Sequence, residues 1–185
     1  TQHVATRGQP TKLVHRHRFG ADTFDETLTV GDGGPLTFEL HPRAFFQPNT
    51  LQAQRLYAEV VAATQVDGVE GAGHVLDLYC GTGTIALCLA PHASKVTGIE
   101  LVEEAVVNAR ANAVKNGLEN VTFFAGDVGE VLEREGLASG EVFDAVVVDP
   151  PRAGLMPGAI EQLMRLSIRR LVYVSCNPEA LARDI

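Results

Sequence analysis

Cysteine, basic charge and long apolar runs are all scarce in this sequence of 185 residues. Its three cysteines, Cys80, Cys88 and Cys176, are odd in number and show no CxxC spacing, so we predict neither a disulfide framework nor a metal site. No stretch of about 18 apolar residues is present, so no membrane-spanning helix is predicted, and no signal peptide is visible. These absences favour a cytoplasmic protein.

The charge is acidic overall but unevenly distributed. Asp and Glu number 23 against 15 Lys and Arg, for a formal net charge of -8, which offers nucleic acid no general attraction. Basic side chains nevertheless gather in residues 1–20 and at Arg165, Arg169 and Arg170. Two interpretations are open for these clusters: ordinary solvated faces or, for residues 1–20, a surface that faces RNA.

Residues 1–40 differ in composition from the rest and predict a small β-rich segment. They are rich in Thr, Gly, His and Asp, and GDGGP at 31–35 is a strong turn signal. The flanking stretches DETLTV and LTFEL alternate apolar and polar residues, as the strands of a hairpin do. We therefore divide the chain into this segment and a second region, residues 41–185.

The second region shows alternating helices and strands. A first helix is predicted over residues 49–65, with Leu56, Tyr57, Val60 and Val61 on its buried face. Five strands follow, each separated from the next by a helical pattern, at 74–79, 95–100, 121–125, 143–149 and 171–175. This alternation predicts an α/β fold of the Rossmann-like type, with a mostly parallel sheet and helices on both faces.

Unusual side chains stand at the end of every predicted strand. These residues are Tyr79, Glu100, Asp127, Asp149 and Cys176. Because the carboxyl ends of parallel strands meet at one edge of the sheet, where such folds bind their ligands, the five should lie near one another. The sequence therefore predicts a site for a cofactor and for catalysis at this edge.

A glycine-rich turn follows the first of these strands. Gly81, Gly83 and Ala86 fit the pattern G-x-G-x-x-A, in which a tight turn lets a nucleotide cofactor approach the backbone. Glu100 ends the second strand, where a carboxylate can accept hydrogen bonds from two ribose hydroxyls. NAD and S-adenosylmethionine both carry such a ribose, and glycines also serve tight turns without a ligand, so this pattern alone leaves the ligand open.

Two further features favour S-adenosylmethionine over NAD. Asp77 stands near the end of the first strand, where a carboxylate would repel a pyrophosphate but attract a sulfonium and an amino group. The fourth strand ends in DPPR at 149–152, and its two prolines fix the backbone so that Asp149 and nearby carbonyls can face a planar ring. Arg152 is open to two roles, a phosphate contact or an ion pair with an acid.

The most specific functional signal is a set of four motifs in order. They are HPRAFFQPNT at 41–50, DLYCGTGT at 77–84, VVVDPPRAGL at 146–155 and YVSCNPEALARD at 173–184. Together they closely resemble the RNA (uracil-5-)-methyltransferases, which form 5-methyluridine in transfer or ribosomal RNA. The resemblance covers about residues 36–185. It implies a class I methyltransferase domain, S-adenosylmethionine as cofactor, RNA as partner, and a role in tRNA or rRNA processing.

The resemblance also implies roles for single residues. The family's cofactor-binding positions correspond to Gln47, Tyr79, Gly81, Gly83, Thr84, Glu100, Asp127 and Asp149. The family often has Asn at the position of Thr84. The nucleophile of its SCNP motif corresponds to Cys176, and no residue is assigned to a metal.

A cysteine nucleophile suits the chemistry that the resemblance implies. Carbon 5 of uracil is a poor nucleophile, and addition of a thiolate to carbon 6 turns it into an enolate carbon that can take up a methyl group. Asn177 as N-cap and Pro178 at the first helical position predict a helix directly after Cys176, and a helix N-terminus favours the thiolate. The alternative for Cys176 is a small buried apolar residue at a strand end, the role expected for Cys80 and Cys88.

The sequence departs from the family pattern at both ends. We find no amino-terminal RNA-binding barrel and no four-cysteine iron–sulfur site, and five strands are predicted where the fold normally has seven. The family's general-base glutamate falls beyond Ile185. We therefore expect a catalytic-domain fragment, truncated after its fifth strand and inactive without the base. Because an edge strand and part of the sheet face would be uncovered, we expect low stability in solution or self-association.

Other functions stay open at this point. A non-catalytic module that binds S-adenosylmethionine would show the same cofactor motifs, and an NAD-dependent oxidoreductase is a weaker alternative. Phe45 and Phe46 either pack in the core or stack near a flipped base. These residues do not tell which RNA, or which uridine in it, is the target.

Overall fold

The computed structural model describes residues 2–4, 12–14, 21–41, 45–65, 72–137 and 140–185. The strands are β1 (Gln2–Val4), β2 (Lys12–Val14), β3 (Phe24–Thr29), β4 (Pro35–Leu40), β5 (Ala72–Leu78), β6 (Ala93–Glu100), β7 (Val121–Ala125), β8 (Val142–Phe143), β9 (Ala145–Val148), β10 (Ser167–Ile168) and β11 (Leu171–Tyr173). The helices are α1 (Thr50–Thr64), α2 (Thr84–Leu89), α3 (Glu103–Lys115), α4 (Val128–Arg134), α5 (Pro157–Arg165) and α6 (Pro178–Asp184), with a 3₁₀ turn over Ala90–His92. No helix in these ranges is long and apolar enough to cross a bilayer.

A five-stranded parallel sheet forms the centre, with the order β11-β9-β5-β6-β7. The chain builds outward from β5 to β7 and then returns to the other side of β5 with β9. The strand order therefore reverses between β5 and β9, which is where open α/β sheets form their ligand-binding crevice. The predicted parallel α/β sheet is confirmed.

Two hydrophobic clusters cover the two faces of this sheet. Successive side chains of a strand point to opposite faces, so Val75 of β5 packs with α1, α2 and α3, whereas Leu76 packs with α4 and α5. The strands are apolar on both faces because both are covered, and Val146, Val147 and Val148 of β9 are completely buried. The predicted helices on both faces are thus confirmed.

The predicted buried face of α1 is wrong at one position. Leu56 is 37% exposed, whereas Tyr57, Val60 and Val61 are buried as expected. Ala53 and Thr64 complete the buried stripe, which recurs at helical spacing one residue away from Leu56. Leu56 lies at the edge of that stripe, so only part of its side chain meets the core.

The predicted strand over 143–149 is interrupted at Asp144. The carboxylate of Asp144 accepts a hydrogen bond from the backbone N–H of His74 at 3.0 Å and lies 3.1 Å from Nη1 of Arg169. On either side of Asp144 lie β8, which pairs with β10, and β9, which enters the central sheet.

The predicted hairpin is confirmed, with β3 and β4 paired antiparallel from Phe24–Leu40 to Thr29–Pro35. Its buried Leu28 and Phe38 belong to the same hydrophobic cluster as α1, α2 and α3. The division of the chain at residue 40 stays a prediction. Of the amino-terminal residues, the structure describes an antiparallel pair of β1 with β2, and most of the predicted basic surface lies outside the described residues.

Asn108 and Asn112 of α3, and Asn116 directly after it, bind the edge of β4 that faces away from β3. Asn116 accepts from the backbone N–H of Thr37 at 2.8 Å and donates to its carbonyl at 2.9 Å. Asn112 accepts from the N–H of Glu39 at 2.8 Å, and Asn108 donates to the Glu39 carbonyl at 3.0 Å. With one asparagine per helical turn, α3 presents amides along β4 much as a neighbouring strand would, and so fixes the hairpin.

Replacement of the fully buried Asn112 by Ala should destabilise the protein by about 1–3 kcal/mol, because the backbone N–H of Glu39 loses its partner away from water. Urea denaturation measures this change. Val114→Ala on the same helix, at a position 82% exposed, is the control and should leave the free energy of unfolding nearly unchanged. An equal effect of the two substitutions would contradict the role of the asparagine ladder.

Candidate functional site

A cleft of about 790 Å³ opens at the carboxyl ends of the central strands. It lies beside the point where the strand order reverses. Six of the predicted site residues line it: Gln47, Tyr79, Gly81, Thr84, Glu100 and Asp149. Gly83, Asp127 and Cys176 are not among its lining residues. The structure thus brings most of the predicted cofactor residues together.

The turn after β5 shapes the floor of the cleft. Tyr79 has a left-handed backbone, with φ of 63°, and the N–H groups of Tyr79 and Cys80 both donate to the carbonyl of Ile99. Gly81 also has a positive φ, of 54°, and a Cβ there would meet no atom within 4 Å. A ligand can therefore approach the backbone closely at Gly81.

Gly83 does not line the cleft but allows close packing behind it. It is the N-cap of α2 with φ of 80°, and a Cβ at this position would lie 2.8 Å from Cζ of Phe123. Only glycine fits both the backbone conformation and this narrow space. Thr84 begins α2 and is buried at the wall of the cleft.

Glu100 joins the ends of two strands. Its Oε2 accepts a hydrogen bond from the N–H of Gly81 at 3.1 Å, and its Oε1 accepts from the N–H of Val102 at 2.9 Å. Each carboxylate oxygen has a further lone pair. The residue therefore holds the turn in place and keeps acceptor capacity for a ligand in the cleft.

Asp77 is the buried acid beneath this turn. Its side chain is fully buried, and neither carboxylate oxygen has a hydrogen-bond partner among the described residues. Burial raises the pKa of Asp77 well above its usual range, and the charge of Asp149 raises it further. The backbone N–H of Ala86 lowers this pKa, although it is not placed to make a hydrogen bond. A buried polar group without a partner is costly, which makes this position a candidate functional one.

The electrostatics of the cleft favour a cation. Asp149 lines it, and burial raises the pKa of that carboxyl. Glu39, Glu100 and Glu104 line it as well, and the charge of Glu100 raises the pKa of Asp77 further. No Lys or Arg stands among the described residues that line the cleft. The site can therefore attract a positive group and would repel a phosphate.

Asp127 lies just past the end of β7, and its side chain binds the N-terminus of α4. Its Oδ1 accepts from the N–H of Gly129 at 2.9 Å and from that of Glu130 at 3.4 Å, so it caps α4. Its role toward a cofactor stays a prediction.

Cys176 is the exposed thiol of the chain. Cys80 and Cys88 are buried, as expected, and burial raises the pKa of both thiols, for Cys88 to about 12. Cys176 instead lies in solvent, ahead of Asn177, whose side chain accepts from the N–H of Glu179 as the N-cap of α6. The interpretation of Cys176 as a buried packing residue is therefore wrong.

The neighbouring backbone places Cys176 beside the strand that carries Asp149. Beyond the ladder of β11 with β9, the N–H of Val174 donates to the carbonyl of Val148 at 2.9 Å. The chain then leaves the sheet through Ser175. Two adjacent strands thus deliver an exposed thiol and a cleft carboxylate to the same edge.

The aromatic residues near the cleft divide into two roles. Both Phe45 and Phe46 line the cleft, but Phe46 is half-buried and packs against Phe38 with ring centroids 5.9 Å apart, whereas Phe45 is 75% exposed. Tyr57 of α1 also lines the cleft, and burial, followed by the charges of Cys88, Asp149 and Asp77, raises its pKa. The sequence predicts Tyr57 only as a core residue. Its hydroxyl on an otherwise apolar helix face is the signal that could have identified it as a cleft residue.

In the ranges that the structure describes, no group of three or more His, Cys, Asp or Glu is arranged to hold a metal ion. The polar groups of the cleft are backbone and side-chain amides, hydroxyls and carboxylates. These groups suit an organic ligand with hydroxyl groups and a positive charge.

Comparisons with known proteins agree on a methyltransferase family. A family model described as tRNA (uracil-5-)-methyltransferase matches residues 2–185. An uncharacterised RNA methyltransferase of Protochlamydia amoebophila is 43% identical over 184 residues, which are 97% of this chain and 41% of that protein. Another, of Caldanaerobacter subterraneus, is 47% identical over 150 residues, which are 81% of this chain and 32% of that protein.

A solved structure is similar along nearly the whole chain. It is the tRNA (uracil-54, C5)-methyltransferase of Pyrococcus abyssi in complex with S-adenosyl-L-homocysteine, with a TM-score of 0.74 and 33% identity. The match covers 97% of this chain and 41% of that one. The chain thus spans about two fifths or less of the length of these relatives.

Replacement of Asp77 by Asn should stabilise the protein, and increasingly so as the pH rises. Because folding raises the pKa of Asp77, the native state keeps its proton where the unfolded chain, with a carboxyl pKa of about 3.9, has released it. The free energy of unfolding of the wild type therefore falls relative to that of Asp77→Asn above about pH 4. Urea titrations of both proteins at several pH values measure this difference.

The exposed Glu119→Gln is the control, because it removes a carboxyl from the surface, and its free energy of unfolding should stay close to that of the wild type. A difference between Asp77→Asn and the wild type that stayed flat with pH would show that Asp77 is not a buried, destabilising acid.

Proposed function

The chain belongs to the tRNA (uracil-5-)-methyltransferase family, and from this premise we propose that it binds S-adenosylmethionine and methylates carbon 5 of a uridine in RNA. The observation that carries the proposal is the cleft at the sheet edge, with Glu100 and Asp149 in its lining, the buried Asp77 beneath them, and no lysine or arginine among the described lining residues. A sulfonium and an ammonium group would be attracted there, whereas the pyrophosphate of NAD would be repelled.

The residues of the cleft fit this cofactor. Gly81 leaves its backbone open to a ligand, and the free lone pairs of Glu100 can accept hydrogen bonds from ribose hydroxyls. Asp77 is a buried carboxyl with no hydrogen-bond partner in the part of the chain that the structure describes, and it lies beneath the turn that would hold the amino-acid part. Gln47 and Tyr79 line the same space. When bound, S-adenosylmethionine supplies an electrophilic methyl group.

We assign the nucleophile to Cys176. Its thiolate would add to carbon 6 of the uracil ring, which makes carbon 5 nucleophilic enough to accept a methyl group. Loss of the carbon-5 proton to a base then allows the sulfur to leave and restores the ring. The exposure of Cys176 and its place on the strand next to that of Asp149 support this assignment.

The RNA would meet the cleft from the side of the exposed aromatic and basic residues. Phe45 is exposed at the rim, where a base turned out of its stack could lie against the ring. Arg152 is exposed, and no carboxylate lies within ion-pair distance of it among the described residues. A phosphate contact is therefore the better of the two roles considered for Arg152.

Replacement of Glu100 by Ala should weaken S-adenosylmethionine binding by at least about tenfold, because charged hydrogen bonds to the ribose and the support of the Gly81 turn are both lost. Calorimetry at one temperature measures the change. Glu103→Ala, an exposed acid on the first turn of α3, is the matched control and should bind as the wild type does. Equal affinities of the two variants would count against Glu100 as a cofactor residue.

Replacement of Cys176 by Ala in the full-length protein should abolish both uridine methylation and the covalent adduct with 5-fluorouridine RNA, because no sulfur can then add to carbon 6. Mass spectrometry of the protein–RNA product measures the adduct. The buried Cys80 and Cys88 remain in this variant and serve as the internal control. An adduct or methylation that persisted would overturn the assignment of Cys176.

The same measurements separate the alternative functions. Cofactor binding without methylation or adduct by the full-length protein would favour the non-catalytic module. Calorimetric binding of NAD in place of S-adenosylmethionine would favour the oxidoreductase. Parallel assays on tRNA and rRNA substrates would identify the target RNA.

A further inference from the structure

The carboxylate of Asp184 joins two segments that the proposed chemistry uses. Its side chain is 1% exposed, and its Oδ2 accepts from the backbone N–H of Leu155 at 2.6 Å and from the Tyr173 hydroxyl at 2.7 Å. Its Oδ1 lies 2.7 Å from Nη2 of Arg183. The acid therefore binds at once the loop over residues 149–155, the end of β11 and its own helix α6.

Further contacts join the same loop to α6. Arg183 donates to the carbonyl of Ala153 at 2.7 Å, and the Asn177 side chain donates to the carbonyl of Arg152 at 3.1 Å. Gly154 lies so close that a Cβ on it would collide with the Asp184 carboxylate. The loop and α6 thus form one hydrogen-bonded unit, here called the loop–helix clasp.

The electrostatics of the clasp match its geometry. The N–H of Leu155, then the Tyr173 hydroxyl, lower the pKa of Asp184, so the ionised form is the one that the clasp holds. Burial and the Asp184 carboxylate raise the pKa of Tyr173 to about 12, so the phenol stays a donor. Each group is therefore held in the protonation state that its hydrogen bond needs.

The two reactive groups lie at the ends of this unit. Asp149 begins the loop and lines the cleft, and Cys176 immediately precedes the N-cap of α6. We propose that Asp184 is a positioning residue, which through the clasp fixes Cys176 relative to Asp149 and to the uracil ring between them. This inference rests on the proposed function, since it needs Cys176 to add to a base.

Positioning of this kind should affect the covalent step selectively. A displacement of about 1 Å between reacting groups can slow a reaction about 100-fold, although the groups keep their intrinsic reactivity. Asp184 is not among the residues that line the cleft, so cofactor affinity should not depend on it. The exposed thiol should also react with a small reagent regardless of its alignment with the cleft.

The test compares Asp184→Asn and Tyr173→Phe with the wild type in the full-length protein. Asparagine keeps the size of the side chain but turns an NH₂ group toward donors, either Leu155 and Tyr173 or Arg183. We expect the adduct with 5-fluorouridine RNA to form about 100-fold more slowly in Asp184→Asn. Tyr173→Phe, which removes a single hydrogen bond, should slow it less.

Two further readouts separate positioning from a general structural role. The affinity for S-adenosylmethionine and the rate at which iodoacetamide alkylates Cys176 should equal those of the wild type in both variants. Glu179→Gln, an exposed acid on α6, is the control and should leave all three measurements unchanged. Alkylation at Cys176 can be followed selectively because Cys80 and Cys88 are buried.

Each other outcome overturns a distinct claim. Adduct formation at the wild-type rate in both variants would overturn the positioning role. Loss of cofactor affinity together with slow adduct formation would overturn it in favour of a structural role. Absence of an adduct in the wild type would overturn the proposed function itself, whatever the variants did.

Discussion

Two hydrogen bonds to the carboxylate of Glu100, from the amides of Gly81 and Val102, hold the cleft in shape. They tie the turn after β5 to the end of β6. Within that turn Tyr79 adopts a left-handed backbone, which costs on the order of 1 kcal/mol and persists only where the surroundings over-determine it. The parallel ladder between β5 and β6 supplies the rest of that constraint. Glu100, at the end of β6, thus keeps the backbone at Gly81 open to a ligand.

Stability and binding oppose each other at Asp77. A carboxyl with a raised pKa and no hydrogen-bond partner among the described residues lowers the stability of the fold, and an amide would suit the core better. A positive group bound in the cleft would favour the ionised form of the same carboxyl and be attracted by it. A protein that only had to fold would have no use for such a residue, so its presence is understood best through a ligand.

Side chains that bind the backbone of distant segments hold the walls of the site. Asn112 reaches Glu39, which lies 73 residues away in the sequence, and so holds the hairpin against α3. Asp184 reaches Leu155, 29 residues away, and so holds the loop after Asp149 against α6. In both cases a polar side chain supplies the hydrogen bonds that a neighbouring strand or cap would otherwise supply.

The amino-acid sequence by itself determined the sheet, the helices and most of the cleft, because these follow from local patterns. The third strand of the sheet, Val121–Ala125, was predicted with its observed ends, and Gly81, Glu100 and Asp149 were identified from their places at strand ends. The tertiary structure alone decided the break at Asp144, the exposure of Leu56, and the contacts of the α3 asparagines and Asp184. Those features depend on partners far away in the chain, and a local pattern carries no information about such partners.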